Sequence, residues 1–335
     1  MLKLIIQIPC YNEEETLGVT VADLPRKIDG VDEIEYLIIN DGSTDNTVSA
    51  ARACGVHHII SFSKNKGLAN GFMAGIDACL RLGADIIVNT DADNQYCGAD
   101  IEKLIRPILD GGAEMVIGER PIDSTADFSP LKKKLQRLGS FVVRVVSGTS
   151  VPDAPSGFRA YSRETAMKLN VVSHYTYTLE TIIQAGNKNI ALESVPIRTN
   201  PQLRKSRLFK SMGAYIKRSV STMFRIFLMY RPLKTFALIG SIVFLAGAVI
   251  GVRFLYFFVN GAGNGHIQSL ILAAVLLLMG FQTFIAGLLA DVISANRKLI
   301  EDVQYRVRKM DYEKDKENTE KNNMAKESIN DEDSV

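Results

Sequence analysis

Two acidic residues with one residue between them, Asp91-Ala92-Asp93, follow directly on the apolar run Ile86–Thr90. Carboxylates so spaced at a strand end can face one divalent cation. Oxygen ligands of this kind suit magnesium or manganese holding a diphosphate; taken alone, the pair fits a polar loop equally well. Two more polar clusters occupy the same kind of place. Pro9-Cys10-Tyr11-Asn12-Glu13-Glu14 follows Leu2–Ile8, and Asn40-Asp41-Gly42-Ser43-Thr44-Asp45 follows Glu35–Ile39. Asn-Asp-Gly is ordinary turn material, yet a carboxylate there can accept from a base N–H or a ribose hydroxyl. No Gly-x-Gly-x-x-Gly follows the first run, which disfavours a dinucleotide fold. The four cysteines (Cys10, Cys54, Cys79, Cys97) form no Cys-x-x-Cys pair. That spacing suits a reduced, cytosolic setting and reads Cys10 as a small buried hydrophobe.

These clusters need strand ends to hold them. Leu2–Ile8, Glu35–Ile39, His58–Phe62, Ile86–Thr90 and Met115–Gly118 read as strands. Glu14–Lys27, Asp45–Ala53, Leu68–Leu82 and Ala99–Leu109 read as helices, with Asp45 an N-cap and Gly83 just past a C-terminus. Strands alternating with helices predict an α/β fold with a mostly parallel sheet, covered on both faces. Ligands of such sheets bind at the carboxyl ends of the strands, where all three clusters fall. Leu2–Ile8 is too short for a signal peptide, so this half is expected to stay in the cytosol.

The second half differs. Between Ser194 and Ala290 there is no Asp or Glu, while Lys and Arg recur up to Lys234. Residues 236–258 and 267–290 are apolar runs of the length that crosses a bilayer, about 20 residues. Their linker, Val259–His266, is short and Gly-rich, which predicts a hairpin. Basic residues before the first run (Arg225, Arg231, Lys234) and after the second (Arg297, Lys298, Arg306, Arg308) put both flanks in the cytoplasm. Arg253, inside the first run, either snorkels to the interface or faces lipid phosphate. Residues 204–234 read as an amphipathic helix lying on an anionic leaflet. The polar, charged tail from Asp311 reads as disordered. Gly240, Gly247 and Gly251 either let first spans of two copies pack closely, giving a homo-oligomer, or face lipid. The net charge of +2 singles out no partner, and no nucleic acid is expected.

The clusters, with Asn65-Lys66-Gly67 leading into a helix, Gln95 after the paired carboxylates, and Ser156-Gly157-Phe158-Arg159-Ala160-Tyr161 preceded by Asp153, resemble glycosyltransferase family 2. The resemblance is to the branch of the dolichol-phosphate mannose synthases and polyprenyl-phosphate glucosyltransferases, over roughly residues 1 to 310. It implies a GT-A fold over residues 1–203, a juxtamembrane helix over 204–234, two membrane helices within 235–295, and a basic segment with an acidic tail over 296–335. It implies that Pro9, Tyr11, Glu13 and Asp41 hold the base and ribose of a nucleotide-sugar. Asp91, Asp93 and Gln95 would hold the Mg²⁺ or Mn²⁺ ion and the diphosphate. Arg120, Arg137, Ser156 and Arg159 would meet the acceptor phosphate, with Asp153 opening their loop. Arg204 and Arg207 stand where the mannose synthases have a glycine-containing loop; they serve the phosphates or attract the membrane.

The implied reaction is inverting transfer of one hexose or N-acetylhexosamine from a UDP- or GDP-sugar to a polyprenyl phosphate, in a membrane-bound enzyme. Alternatives are an anchored transferase with a soluble acceptor and a non-catalytic scaffold. A processive polysaccharide synthase is disfavoured: its usual Gln-x-x-Arg-Trp motif is missing, since the chain has no Trp.

Overall fold

Branched aliphatic residues dominate the first strand, where Leu4, Ile5, Ile6 and Ile8 are all fully buried. A strand apolar on both faces must be covered on both, and the sheet around it is. In the computed structural model, which describes residues 1–121, 130–171, 177–201, 203, 221, 224–225, 228–261 and 263–332, seven strands form one sheet. They are β1 (Lys3–Cys10), β2 (Glu33–Asn40), β3 (His58–Ser61), β4 (Ile86–Asn89), β5 (Met115–Glu119), β6 (Arg159–Ser162) and β7 (Leu192–Pro196), in the order β3-β2-β1-β4-β6-β5-β7. Strands β1 to β4 run parallel, as β5 and β7 do; β6 is antiparallel to both of its neighbours. The helices of this unit are α1 (Leu17–Asp23), α2 (Thr47–Ala53), α3 (Leu68–Arg81), α4 (Ile101–Leu109), α5 (Pro130–Ser147), α6 (Arg163–Lys168) and α7 (Thr178–Asn187). Gly83 takes the left-handed conformation expected after a helix, with φ +82°.

The antiparallel insertion of β6 decides the site. Asn89 at the end of β4 pairs with Arg159 at the start of β6. The loop before β6 therefore lies beside the loop after β4, which carries Asp91 and Asp93.

The chain divides into two compact units, Met1–Ile216 with Asp302–Val335, and Lys217–Glu301. In the second, α8 (Pro232–Val259) and the first part of α9 (Ile267–Glu332) are both long and apolar enough to cross a membrane. Leu238, Ile242, Leu245, Val249 and Val252 of α8 are exposed, so this is not the core of a soluble protein. The two helices approach through glycine. A Cβ on Gly247 would lie 2.9 Å from Leu276 Cβ, and one on Gly280 would lie 2.7 Å from Phe244 Cβ. Gly240 and Gly247 thus serve packing inside the hairpin.

The expected disordered tail is a helix here: α9 runs on to Glu332. Within the first unit, Tyr312 is buried and its Oη donates to Asp77 Oδ1 at 2.6 Å. Arg308 Nη1 donates to Leu169 O at 2.7 Å and Asn170 Nδ2 to Gln304 Oε1 at 2.8 Å. Just before the tail, Arg306 and Asp302 form a helical pair at 3.0 Å. Of the expected juxtamembrane helix, residues 204–220 lie outside the described residues, and so do Arg204 and Arg207.

Candidate active site

The loops after β1 and β2 interlock. Asn12 takes φ +56°, a conformation Asn tolerates. Its N–H donates to Ser43 Oγ at 3.0 Å and its Oδ1 accepts Thr44 N at 2.8 Å. Glu14 Oε2 accepts Asn46 N at 2.7 Å, and Glu13 N donates to Thr47 Oγ1 at 2.9 Å. Asp41, nearly buried, accepts Lys66 N at 2.6 Å and Gly67 N at 2.9 Å. It thereby ties the Asn65-Lys66-Gly67 run to the Asp41-Gly42 turn. Gly42 is required there: its φ is +67° and a Cβ would meet Lys64 C at 2.4 Å. Of the residues expected to hold the nucleotide, Pro9 and Tyr11 line the same strand end, with Tyr11 exposed and Glu13 buried. Cys10 is buried, and burial together with Glu13, Asp45 and Asp91 pushes its thiol well up, as suits an inert side chain.

Asp91 and Asp93 sit in a turn fixed from several sides. Thr20 Oγ1 donates to Ala92 O at 2.9 Å, Gln95 N donates to Asp93 Oδ1 at 3.3 Å, and Asn94 has φ +55°. Across from them stands Gly157. A Cβ on it would lie 3.2 Å from both Asp91 carboxylate oxygens and 3.0 Å from Tyr177 Oη. A buried polar cluster holds this glycine. Asn89 Nδ2 donates to Gly157 O at 2.9 Å and to Tyr177 Oη at 2.8 Å, while Gly157 N donates to Tyr96 Oη at 3.1 Å. Sequence reasoning missed Asn89, Tyr96 and Tyr177. The one signal was an Asn ending an otherwise apolar run.

Arg120, at the end of β5, forms a forked pair with the fully buried Asp153: Nε to Oδ2 at 2.7 Å and Nη2 to Oδ1 at 2.9 Å. Burial disfavours the Arg120 charge, but Tyr96, Asp153 and Asp91 more than offset this and raise its pKa. Asp153 is therefore the anchor of Arg120. Arg159 is not where the sequence reading puts it. It is fully buried and donates to Ser156 O (2.7 Å), Ala154 O (2.7 Å), Thr178 O (2.8 Å) and Thr181 Oγ1 (2.6 Å). Its four bonds shape the loop 154–156 from inside, so it does not meet an acceptor phosphate. Ser156 is likewise fully buried. Arg137 is exposed on α5.

Among the described residues, no group of three or more His, Cys, Asp or Glu side chains is arranged to hold a metal. Asp91 and Asp93 offer two carboxylates within one turn, and the missing side chain of Gly157 keeps the Asp91 carboxylate from being crowded. Magnesium commonly takes one or two carboxylates, with substrate phosphates and water completing its shell. The residues fit such an ion.

The family model for glycosyl transferase family 2 matches residues 5–169. The chain is 32% identical over 214 residues to a UDP-N-acetylglucosamine–dolichyl-phosphate N-acetylglucosaminyltransferase of Methanococcus voltae, covering 57% of this chain and 83% of the relative. It is 24% identical over 327 residues to an undecaprenyl-phosphate 4-deoxy-4-formamido-L-arabinose transferase of Yersinia enterocolitica, covering 91% of both. Glucosyl-3-phosphoglycerate synthase from Mycobacterium tuberculosis, solved with Mn²⁺, UDP and glucosyl-3-phosphoglycerate, shares the fold with TM-score 0.54 at 20% identity, over 67% of this chain and 80% of that one. The protein is a glycosyltransferase: it belongs to glycosyl transferase family 2, in the branch that its dolichyl- and undecaprenyl-phosphate relatives occupy.

Proposed function

We propose that this enzyme transfers one hexose or N-acetylhexosamine from a nucleotide-diphosphosugar to a polyprenyl phosphate at a membrane surface, inverting the anomeric carbon. The observation that carries the reading is two groups of opposite charge, close enough for Asp91 to raise the pKa of Arg120, at the carboxyl ends of β4 and β5. Asp91 and Asp93 follow the end of β4, and Arg120, forked onto Asp153, follows the end of β5.

The chemistry asks little of a general base. A phosphate monoester has a second pKa near ~6 and is already a nucleophile at neutral pH. What is needed is charge neutralisation, alignment and stabilisation of the leaving diphosphate. Asp91 and Asp93, with Gln95, would hold a magnesium or manganese ion, which supplies Lewis-acid stabilisation of the diphosphate when bound. Arg120, pre-oriented by Asp153, would receive the acceptor phosphate, with bidentate geometry available to a guanidinium. Pro9, Tyr11, Glu13 and Asp41 would hold the nucleoside.

Two features favour a lipid acceptor over a soluble one. The first is the pair of apolar helices α8 and α9, whose basic flanks would lie in the cytoplasm. The second is α5. It exposes Leu138, Phe141 and Val145 at helical spacing while burying Val143 and Val146 on another side. It carries Arg137 and Arg144 and no acidic residue, a composition suited to an anionic lipid surface.

Asp91→Ala and Asp93→Ala should each lose transfer, by about a hundredfold or more given the weight of charge stabilisation in such sites, with an unchanged thermal unfolding midpoint. Full activity in either variant removes the assignment.

A further inference from the structure

In the middle of the sheet two fully buried amides lie side by side, Gln7 of β1 and Asn89 of β4, paired in register. A buried amide is unfavourable unless its hydrogen bonds are made. Here they run in one direction, toward Gly157. Gln7 Nε2 donates to Asn89 Oδ1 at 3.0 Å, and Asn89 Nδ2 donates in turn to Tyr177 Oη at 2.8 Å and Gly157 O at 2.9 Å. Tyr177 Oη donates to the same carbonyl at 3.3 Å. From the other side, Gly157 N donates to Tyr96 Oη at 3.1 Å. The N–H and the C=O of Gly157 are thus both held.

The holding groups are themselves packed. Tyr177 is fully buried, its ring stacked on Phe72 of α3 with centres 4.0 Å apart and planes 4° apart. Tyr96 stacks on Phe158 at 4.9 Å. Gln7 is pinned by Gly75 of α3, where a Cβ would lie 2.2 Å from Gln7 Oε1. Gly157 does not take a positive φ, so its lack of a side chain serves space. A Cβ there would crowd Tyr177 Oη at 3.0 Å and both Asp91 carboxylate oxygens at 3.2 Å. With the tyrosine ring locked in its stack, the carboxylate is the group that must give way.

We propose that Tyr177 is a positioning residue for Asp91: with Asn89 it holds Gly157 as a fixed backstop that sets how the Asp91 carboxylate meets a nucleotide-bound divalent cation. This rests on the reading above that Asp91 holds the cation.

The test is isothermal titration of UDP, then of GDP, onto the purified full chain in detergent, each with Mn²⁺ and with EDTA. Tyr177→Phe removes one hydroxyl and keeps the stacked ring. Gly157→Ala adds the crowding Cβ, and Asp91→Ala sets the scale. In the wild type, Mn²⁺ should strengthen binding of one nucleotide, and Asp91→Ala should abolish that gain. Tyr177→Phe and Gly157→Ala should each weaken Mn²⁺-dependent binding about tenfold, as loss of a partner behind a metal ligand does. Their binding in EDTA should stay within about twofold of the wild type, a split that a merely structural role would not produce. Tyr177→Phe combined with Asp91→Ala should bind no more weakly than Asp91→Ala alone, because the hydroxyl acts through that carboxylate.

Equal losses with Mn²⁺ and with EDTA would mean a general loosening of the site and would overturn the proposal. A further loss in the double variant would overturn it too. If Mn²⁺ gives the wild type no gain, or Asp91→Ala keeps the gain, the assignment of the cation to Asp91 falls and the positioning role falls with it. A gain lost in Asp91→Ala but intact in Tyr177→Phe and Gly157→Ala overturns the positioning role alone.

Discussion

Asp153 contributes by what it prevents. Fully buried, it shares a forked pair with a guanidinium that is itself mostly covered. Removing one partner of such a pair leaves an uncompensated buried charge, at a cost of about 3–5 kcal/mol. Asp153→Ala should therefore lower the unfolding midpoint clearly in a thermal melt and also lose transfer, because Arg120 is no longer aimed. An unchanged midpoint would show that the pair is not needed for folding. Asp100 gives a pH signature. Burial would raise its pKa, but hydrogen bonds from Arg198 and Lys103 prevail and bring it from the ordinary 3.8 down to about 2. A depressed carboxylate stabilises the fold above its unfolded pKa and loses that contribution as pH falls through the folded value. The melting midpoint should fall between about pH 5 and about pH 2.5, and Asp100→Asn should flatten that fall. An equal slope in the variant would contradict the pairing. The paired carboxylates were legible in the sequence because a strand runs directly into them. The place of Arg159 was not. A cation reads as a phosphate partner until its four carbonyl and hydroxyl acceptors are seen around it.

Strands β1 to β5 were legible for a physical reason: each is a run of branched aliphatic residues bounded by turn chemistry, alternating with helical stretches. β6 was not. It has four residues, begins with an arginine, and owes its place to the partners on both sides. Yet it is the element that brings Gly157 against Asp91. The second face of α5 was also missed, since its apolar residues occur on both sides of the helix and only burial separates them. Phe141 is 53% exposed at the centre of that face. Phe141→Glu should leave the melting midpoint within about a degree or two, as surface changes do. It should weaken sedimentation of the protein's activity toward lipid-embedded acceptor, read as a KM rise of about fivefold or more in anionic vesicles. No change in KM would remove α5 from the lipid surface.

For the molecule as a whole, the apolar hairpin was plain from length and composition, and the glycines within it were visible as a spacing. Their partner was not: Gly247 closes on Leu276 and Leu277 of the same chain, a contact that spacing cannot separate from one between copies. The helical course of α9 through Glu332 was hidden by a composition poor in apolar residues and rich in charge. The division of labour is consistent at every scale. The carboxyl ends of β4 and β5 carry the paired carboxylates and an anchored arginine, which the proposed reaction would use on donor and acceptor, and the apolar helices favour a lipid acceptor. The decisive measurement is sugar transfer by the purified full chain in detergent, with a polyprenyl phosphate, Mn²⁺ or Mg²⁺, and radiolabelled UDP-glucose, GDP-mannose or UDP-N-acetylglucosamine in turn. Label should enter the lipid phase from one donor, only with the cation present, and not with Asp91→Ala. Failure of every donor to label the lipid, with the protein folded and the cation present, would contradict it.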